Sequence, residues 1–172
     1  GVSYEEIAKN GGGIVSSING VRMSSVEELY LKALKRMDRF ISLGTTSIEA
    51  KSGYGLDTES ELKSLEVIEK TNSNHCIDLT PTFMGAHAFP PEYENDHEGY
   101  VRLIIKDMIP RVAHQGIAKY IDVFCEEGYF SIDQTRSILE CGREHGLTPR
   151  IHADEFHNFG ASQLASDVGA VS

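Results

Sequence analysis

The densest group of potentially reactive side chains lies in "RIHADEFH", residues 150–157. A neutral imidazole such as that of His152 can bind a metal ion. A carboxylate three residues later, Glu155, can accept a proton from water beside such a metal and pass it to a leaving nitrogen. The spacing alone is weak, because a strand histidine hydrogen-bonded to a neighbour beside solvated acids has the same pattern. It is not the helical H-E-x-x-H motif, and spacing identifies no second metal ligand.

Three more groups of polar residues are candidates for the same chemistry. Tyr54 lies between glycines in "KSGYGL", where its hydroxyl could meet a ligand or its ring could pack on the loop as a lid. His87 lies in "MGAHAFPPEY", which we predict to be a ten-residue binding loop, although a plain surface histidine is an open alternative. Lys51, Glu126 and Glu127 could be ligands or buried partners of one another, and we interpret them as a structural ion pair.

The hydrophobic pattern predicts alternating strands and helices. A helix over residues 24–43 has apolar residues at helical spacing and a capping box from Ser25 to Glu28. Another begins with a capping box from Thr58 to Glu61, and one over residues 98–113 should bend or end near Pro110. Strands are predicted over residues 45–51, 76–83, 120–124 and 149–153, and another begins at residues 170–172.

This alternation requires parallel strands with helical crossovers. Each of the four complete strands runs at its carboxyl end into one of the polar groups described above. Ligands bind at the carboxyl ends of strands in both barrels and open parallel sheets, so we predict an active site there. We predict an irregular lead-in over the first twenty residues, because three glycines at positions 11–13 interrupt it without forming a phosphate-binding motif.

The composition disfavours several classes of protein. With 16 Lys+Arg against 26 Asp+Glu, the net charge of −10 argues against nucleic-acid binding. No apolar run approaches the roughly 20 residues of a membrane helix, so no membrane contact is expected. Three cysteines without C-x-x-C spacing fit a reducing cytoplasm better than a disulfide scaffold or a thiolate zinc site. No linker divides the chain, so we predict one domain over residues 1–172.

Taken together, these motifs resemble imidazolonepropionase, the amidohydrolase that opens the imidazolone ring in histidine degradation. The resemblance implies an α/β fold: a (β/α)₈ barrel of the TIM type with a small accompanying β domain. About four consecutive β/α units of that barrel would lie in this chain. The stretches that carry the resemblance are "GGGIVSSINGVR", "TTSIEAKSGYGLDTESELK", "PTFMGAHAFPPEY", "DVFCEEGYFS" and "RIHADEFHNFGASQLA".

The resemblance also implies a role for each of four residues. His152 matches the family's metal-binding histidine at the end of the fifth barrel strand. Glu155 matches the residue that contacts the substrate and moves the proton, and Tyr54 and His87 match substrate-binding positions. The implied cofactor is one divalent or trivalent metal ion, zinc or iron. The implied reaction hydrolyses the cyclic amide of 4-imidazolone-5-propionate to N-formimidoyl-L-glutamate, and the full-length enzyme could form a homodimer.

Other features of the family are absent from the chain. These are the H-x-H pair of the first strand, a nearby substrate-binding Arg, the "ADH" continuation after "GAVS" and a late metal-binding Asp. Because the chain also begins at Gly1 rather than Met, we predict an internal portion of a longer barrel enzyme, inactive as a separate polypeptide. Two alternatives stay open: another amidohydrolase, such as a cyclic-amide hydrolase or a nucleobase deaminase, and a half-barrel without catalysis of its own.

Overall fold

Four parallel strands pair side by side in a single sheet within residues 14–172, the part of the chain that the computed structural model describes. The strands are β1 (Ser47–Lys51), β2 (Asp78–Ala86), β3 (Tyr120–Cys125) and β4 (Thr148–Ala153), and their order in the sheet is their order in the chain. This confirms the predicted parallel α/β architecture and matches four consecutive units of a (β/α)₈ barrel.

Helices follow each strand and cover one face of the sheet. A π-helical turn, Ile104–Met108, joins the helix His97–Leu103 to the helix Ile109–Gln115, and a short 3₁₀ turn covers Pro91–Tyr93. The helices are α1 (Ile14–Met23), α2 (Val26–Ser42), α3 (Thr58–Asn74), α4 (His97–Leu103), α5 (Ile109–Gln115), α6 (Ile132–Glu144) and α7 (Ala161–Asp167). No helix in this part of the chain is long and apolar enough to cross a membrane.

The two faces of the sheet differ sharply in polarity, because successive strand residues point in opposite directions. Phe83, Ile121 and Val123 are buried in the hydrophobic core beneath the helices. The intervening residues on the opposite face are mostly polar or charged: Glu49, Lys51, Thr82, Asp122, Arg150 and His152. In a closed barrel this second face is the interior.

Two stretches of the chain, residues 14–20 and 98–113, differ from their predicted structure. Residues 14–20, predicted to be irregular, belong to α1, which buries Ile18 in the core; the glycines at 11–13 lie outside the described residues. The predicted helix over 98–113 consists of α4, the π-helical turn and α5, which follow one another directly. Pro110, which lacks an N–H, lies in the first turn of α5, just after the π turn. The capping box of α2 is confirmed, since Ser25 and Glu28 bond reciprocally.

The strands also extend beyond their predicted limits. β2 continues through a bulge to Ala86, which pairs with Val123, so His87 follows the strand directly instead of lying inside a ten-residue loop. Residues 170–172 lie beside β4 and are joined to it by two main-chain hydrogen bonds, without forming a strand. The Val171 N–H donates to the Pro149 carbonyl, and the Ile151 N–H donates to the Ser172 carbonyl. The prediction that another strand begins here stays a prediction, because these two bonds do not form a regular strand ladder.

Helix α6 should be sensitive to a single methyl group at Gly142. A Cβ on Gly142 would lie 2.7 Å from Cγ2 of Ile121 on β3, so Gly142→Ala should destabilise the fold by about 1–3 kcal/mol despite alanine's higher helix propensity. A Cβ on Gly20 in α1 would have nothing within 4 Å, and Gly20→Ala should stabilise by about 0.5–1 kcal/mol. Urea unfolding measures both, and equal signs would contradict the packing argument.

Candidate active site

The predicted site residues meet at the carboxyl edge of the sheet. A cleft of about 200 Å³ is lined by His87, Phe124, His152, Glu155 and Phe156, which follow or end strands β2, β3 and β4. Tyr54, after β1, joins them through His87, because the two rings contact edge to face with centroids 5.1 Å apart. The structure therefore brings together all four residues for which the sequence predicts a role, although the roles themselves stay predictions.

His152 is held in one tautomer by a buried carboxylate. Its Nδ1 lies 3.1 Å from Oδ1 of Asp122, which is 1% exposed. Burial opposes the ionisation of Asp122, but bonds from His152 and Lys51 outweigh it and lower its pKa. An ionised carboxylate only accepts, so Nδ1 of His152 must carry the proton, and the neutral ring keeps its Nε2 lone pair. The same hydrogen bond raises the pKa of His152.

Asp122 belongs to a charge network that spans the sheet. Nζ of Lys51 bonds to Asp122 and lies 2.9 Å from Oε1 of Glu49, while Nη1 of Arg150 lies 2.6 Å from Oε2 of Glu49. Two cations thus face two carboxylates in this network, and the Arg150 guanidinium also stacks over the Tyr120 ring. Lys51 does form a structural ion pair, as expected.

The partners predicted for Lys51 were wrong. Lys51 pairs with Glu49 and Asp122, whereas Glu126 is buried against main-chain N–H groups and the side chain of Glu127 is 71% exposed. The reason lies in the alternation of strand side chains: Lys51 and Asp122 share the inner face of the sheet, while Glu126 lies beyond the end of β3.

His87 is also fixed as a single tautomer. Its Nδ1 lies 2.9 Å from the carbonyl oxygen of Gly53, which can only accept, so the ring donates from Nδ1 and its Nε2 keeps a lone pair. Burial lowers the pKa of His87, which favours the neutral ring at pH 7. His87 can therefore accept a hydrogen bond from a ligand in the cleft.

Two carboxylates hold the loop that carries Glu155. Asp154, at a positive φ of 54°, accepts from the main-chain N–H groups of Phe159, Ala161 and Ser162 at 2.9–3.0 Å. Glu126 accepts from the N–H of Phe156 at 2.8 Å. Glu155 itself is exposed and lines the same cleft as His152. The loop is thus anchored on both sides of the residue predicted to move a proton.

The donor chemistry at His152 fits a metal ligand. Metal-binding histidines typically donate their other ring N–H to a carboxylate, as His152 does to Asp122. Within residues 14–172, no group of three or more His, Cys, Asp or Glu side chains could hold a metal ion together. His152 is the ligand that the motifs predict, and the described residues do not by themselves form a site of three such ligands around it.

Sequence reasoning missed Asp122, the residue that orients His152. The available signal was an acidic residue in the middle of the otherwise apolar strand "YIDVFC". A buried carboxylate at such a position needs a donor, and the inward-facing residues of neighbouring strands are the nearest source. The sequence does not show which of those residues it is, because the register between β3 and β4 is a tertiary property.

Comparison with known proteins agrees with the resemblance found in the motifs. Imidazolonepropionases of Geobacillus thermodenitrificans and Shouchella clausii are each 49% identical to the chain over 172 residues, all of its length, and that of Clostridium tetani is 48% identical. Over its whole length, the chain is similar to imidazolonepropionases. No protein-family model matches it. The chain spans 41%, 38% and 41% of the lengths of these three relatives.

The similarity to imidazolonepropionases includes every segment of the cleft. Since the aligned region runs from residue 1 to residue 172, the loops that carry Tyr54, His87 and Glu155 lie within it, as does β4. The recognition made from the motifs is confirmed by this alignment. The comparison covers only part of the relatives, because roughly three fifths of an imidazolonepropionase has no counterpart in the chain.

The anchoring of the Glu155 loop predicts a pH-dependent stability. Burial opposes ionisation of Glu126, but bonds from the N–H groups of Phe156, Glu127 and His157 outweigh it and lower its pKa. Glu126→Gln should therefore destabilise the fold by about 2 kcal/mol at pH 7, because an amide NH₂ would face a main-chain N–H. The difference should begin to shrink as pH falls below the unfolded pKa of about 4.3, where the unfolded chain takes up the proton, and it should be lost as pH passes the lowered pKa of the folded carboxylate.

Urea titrations of wild type and variant at pH 7 and pH 3 measure this difference. Glu127→Gln makes the same charge change on an exposed neighbour and should shift stability by less than about 0.5 kcal/mol. A Glu126→Gln penalty that is constant with pH would show that the ionised carboxylate is not what holds the loop.

Proposed function

We propose that the chain forms the part of an imidazolonepropionase that holds the proton-transfer residue, one metal ligand and two substrate contacts. The reaction is hydrolysis of 4-imidazolone-5-propionate to N-formimidoyl-L-glutamate in histidine degradation, in the cytoplasm. One observation carries the proposal: His87, His152 and Glu155 line one cleft, and Tyr54 packs against the His87 ring, in a chain similar throughout to imidazolonepropionases. The alternative that substrate assays must exclude is another amidohydrolase activity, that of a cyclic-amide hydrolase or a nucleobase deaminase.

His152 would contribute its Nε2 lone pair to the metal, with Asp122 holding the opposite side of the ring. Zinc or iron bound there supplies Lewis acidity and lowers the pKa of water. Lys51 keeps Asp122 ionised, so His152 stays protonated at Nδ1 and cannot turn its lone pair away from the cleft. The other ligands would come from outside residues 14–172.

Glu155 is placed to move the proton that hydrolysis requires. Water adds its oxygen to the lactam carbonyl carbon, the carbon–nitrogen bond of the ring breaks, and the departing nitrogen needs a proton. Glu155 takes the proton from the attacking water and delivers it to that nitrogen, so one carboxylate acts first as base and then as acid. Its exposed position beside His152 allows both contacts without a change in the loop, whose backbone is anchored by Asp154 and Glu126.

His87 and Tyr54 would orient the substrate. The neutral His87 ring can accept a hydrogen bond at Nε2 from an N–H of the substrate ring, because Nδ1 is engaged by Gly53. The Tyr54 hydroxyl, on a half-exposed side chain beside His87, can donate to a substrate oxygen. Phe124 and Phe156 supply apolar walls that limit water in the cleft.

Substrate assays test the assignment directly. The full-length protein that carries this chain should hydrolyse 4-imidazolone-5-propionate and leave hydantoin and guanine unchanged. The ultraviolet absorbance of each ring measures its loss. Preference for hydantoin would favour a cyclic-amide hydrolase, and release of ammonia from guanine would favour a deaminase. Either result would overturn the proposed substrate while keeping the site.

Replacing Glu155 tests the proposed proton transfer. Glu155→Gln should lower kcat by about 10²–10⁴-fold, because an amide can neither accept the water proton nor return it. Metal content measured by atomic emission should stay at the wild-type level, since the substituted side chain is not a proposed ligand. Glu127→Gln, a matched charge change outside the cleft, should keep wild-type turnover. Wild-type kcat in Glu155→Gln would refute the role.

A further inference from the structure

Glu61 is a buried carboxylate to which the proposed reaction assigns no role. It lies in the first turn of α3, with 0% of its surface exposed. Oε2 accepts from the N–H of Gly53 at 2.7 Å, and Oε1 accepts from the N–H groups of Leu56 at 3.0 Å and Gly55 at 3.3 Å. One side chain therefore holds the main chain on both sides of Tyr54.

Helix capping does not explain these bonds. The sequence predicts a capping box from Thr58 to Glu61, but the structure shows that prediction to be wrong. Asp57 is the N-cap of α3, and its side chain accepts from the Ser60 N–H at 2.8 Å. Glu61 turns away from the helix toward the loop that follows β1. Burial raises its pKa, against the opposing hydrogen bonds, and no ion pair of Glu61 is found within the described chain to offset that burial.

Gly53 connects this carboxylate to a second residue of the cleft. Its N–H donates to Glu61, while its carbonyl oxygen accepts from Nδ1 of His87 at 2.9 Å. Gly53 has a φ of 96°, and a Cβ there would lie 2.6 Å from the carbonyl oxygen of Met84. The residue therefore fits tightly between β2 and the loop. A shift at its N–H would be passed to its carbonyl and so to the His87 ring.

We propose that Glu61 is a positioning residue: through the main chain of residues 53–56, it sets the location of Tyr54 and the ring orientation of His87. The inference rests on the proposed function for the statement that these two side chains contact substrate. The contacts between Glu61, Gly53 and His87 are independent of which substrate binds. A neutral polar residue could satisfy part of this loop, but only a carboxylate offers two acceptor oxygens to donors on both sides.

The first experiment is Glu61→Gln in the full-length enzyme. Its amide has one oxygen and one NH₂, so the N–H of Gly53 or those of Gly55 and Leu56 must face a donor. We expect KM for 4-imidazolone-5-propionate to rise about tenfold or more while kcat falls by less, because ground-state orientation is lost. Metal content should not change. Glu61→Asp, which keeps the charge but shortens the reach, should show the same split if the first variant does not fold.

Thr71→Ala is the matched control on the same helix. Thr71 is fully buried and donates from Oγ1 to the Val67 carbonyl at 2.7 Å, far along α3 from the loop. This variant should lower the unfolding midpoint without changing KM. An equal KM increase in Thr71→Ala would show that general destabilisation, and not loop position, accounts for the effect of Glu61.

The ring nitrogens of His87 provide a second readout that does not need turnover. In long-range ¹H–¹⁵N spectra, wild type and Thr71→Ala should show His87 protonated at Nδ1, and Glu61→Gln should show a mixture of tautomers. Unchanged His87 signals together with an unchanged KM would overturn the inference. Failure of the wild-type protein to hydrolyse imidazolonepropionate would instead refute the proposed function, while the spectra would still test the link from Glu61 to His87.

Discussion

Parallel pairing of four strands is the constraint on which the rest of the structure depends. It places every strand's carboxyl end at one edge, so side chains from residues far apart in the chain share one cleft. The pairing also fixes which residues share a face. Asp122 pairs with Arg150 and Phe124 with His152. The Asp122 carboxylate therefore lies on the same face as His152, two residues nearer the amino end of the paired strands. A one-residue slip of β4 would turn His152 toward the helices.

The inner face of the sheet shows how charge is tolerated away from water. Glu49, Lys51, Asp122 and Arg150 balance one another, and each carboxylate contacts at least one cation. Such a network contributes little net stability, because desolvation offsets most of the attraction. Its contribution is orientation: the ionised Asp122 leaves His152 a single neutral tautomer. The apolar outer face supplies the stability that this polar face does not.

Much of the fold could be predicted from periodicity, while the interactions inside the site could not. The apolar spacing of α2 and its Ser25–Glu28 box located that helix within two residues. The position of His87, however, depends on a bulge in β2 between Phe83 and Ala86, for which Gly85 is a local signal that does not show how far the strand continues. Asp122 and Glu61 were missed as functional residues for a related reason. Their partners are on other strands or in the main chain, and neither kind of contact follows from spacing.

The carboxylates that anchor the cleft loops bind main-chain N–H groups and not the side chains that face the ligand. Glu61 holds residues 53–56, and Asp154 and Glu126 hold the segment around Glu155. Every non-proline residue offers the same N–H, so the scaffold of each loop is indifferent to the side chain displayed from it. Positions such as Tyr54 and Phe156 can therefore be exchanged to recognise a different ring without rebuilding the loops. Gly53, whose conformation excludes a side chain, cannot be exchanged in this way.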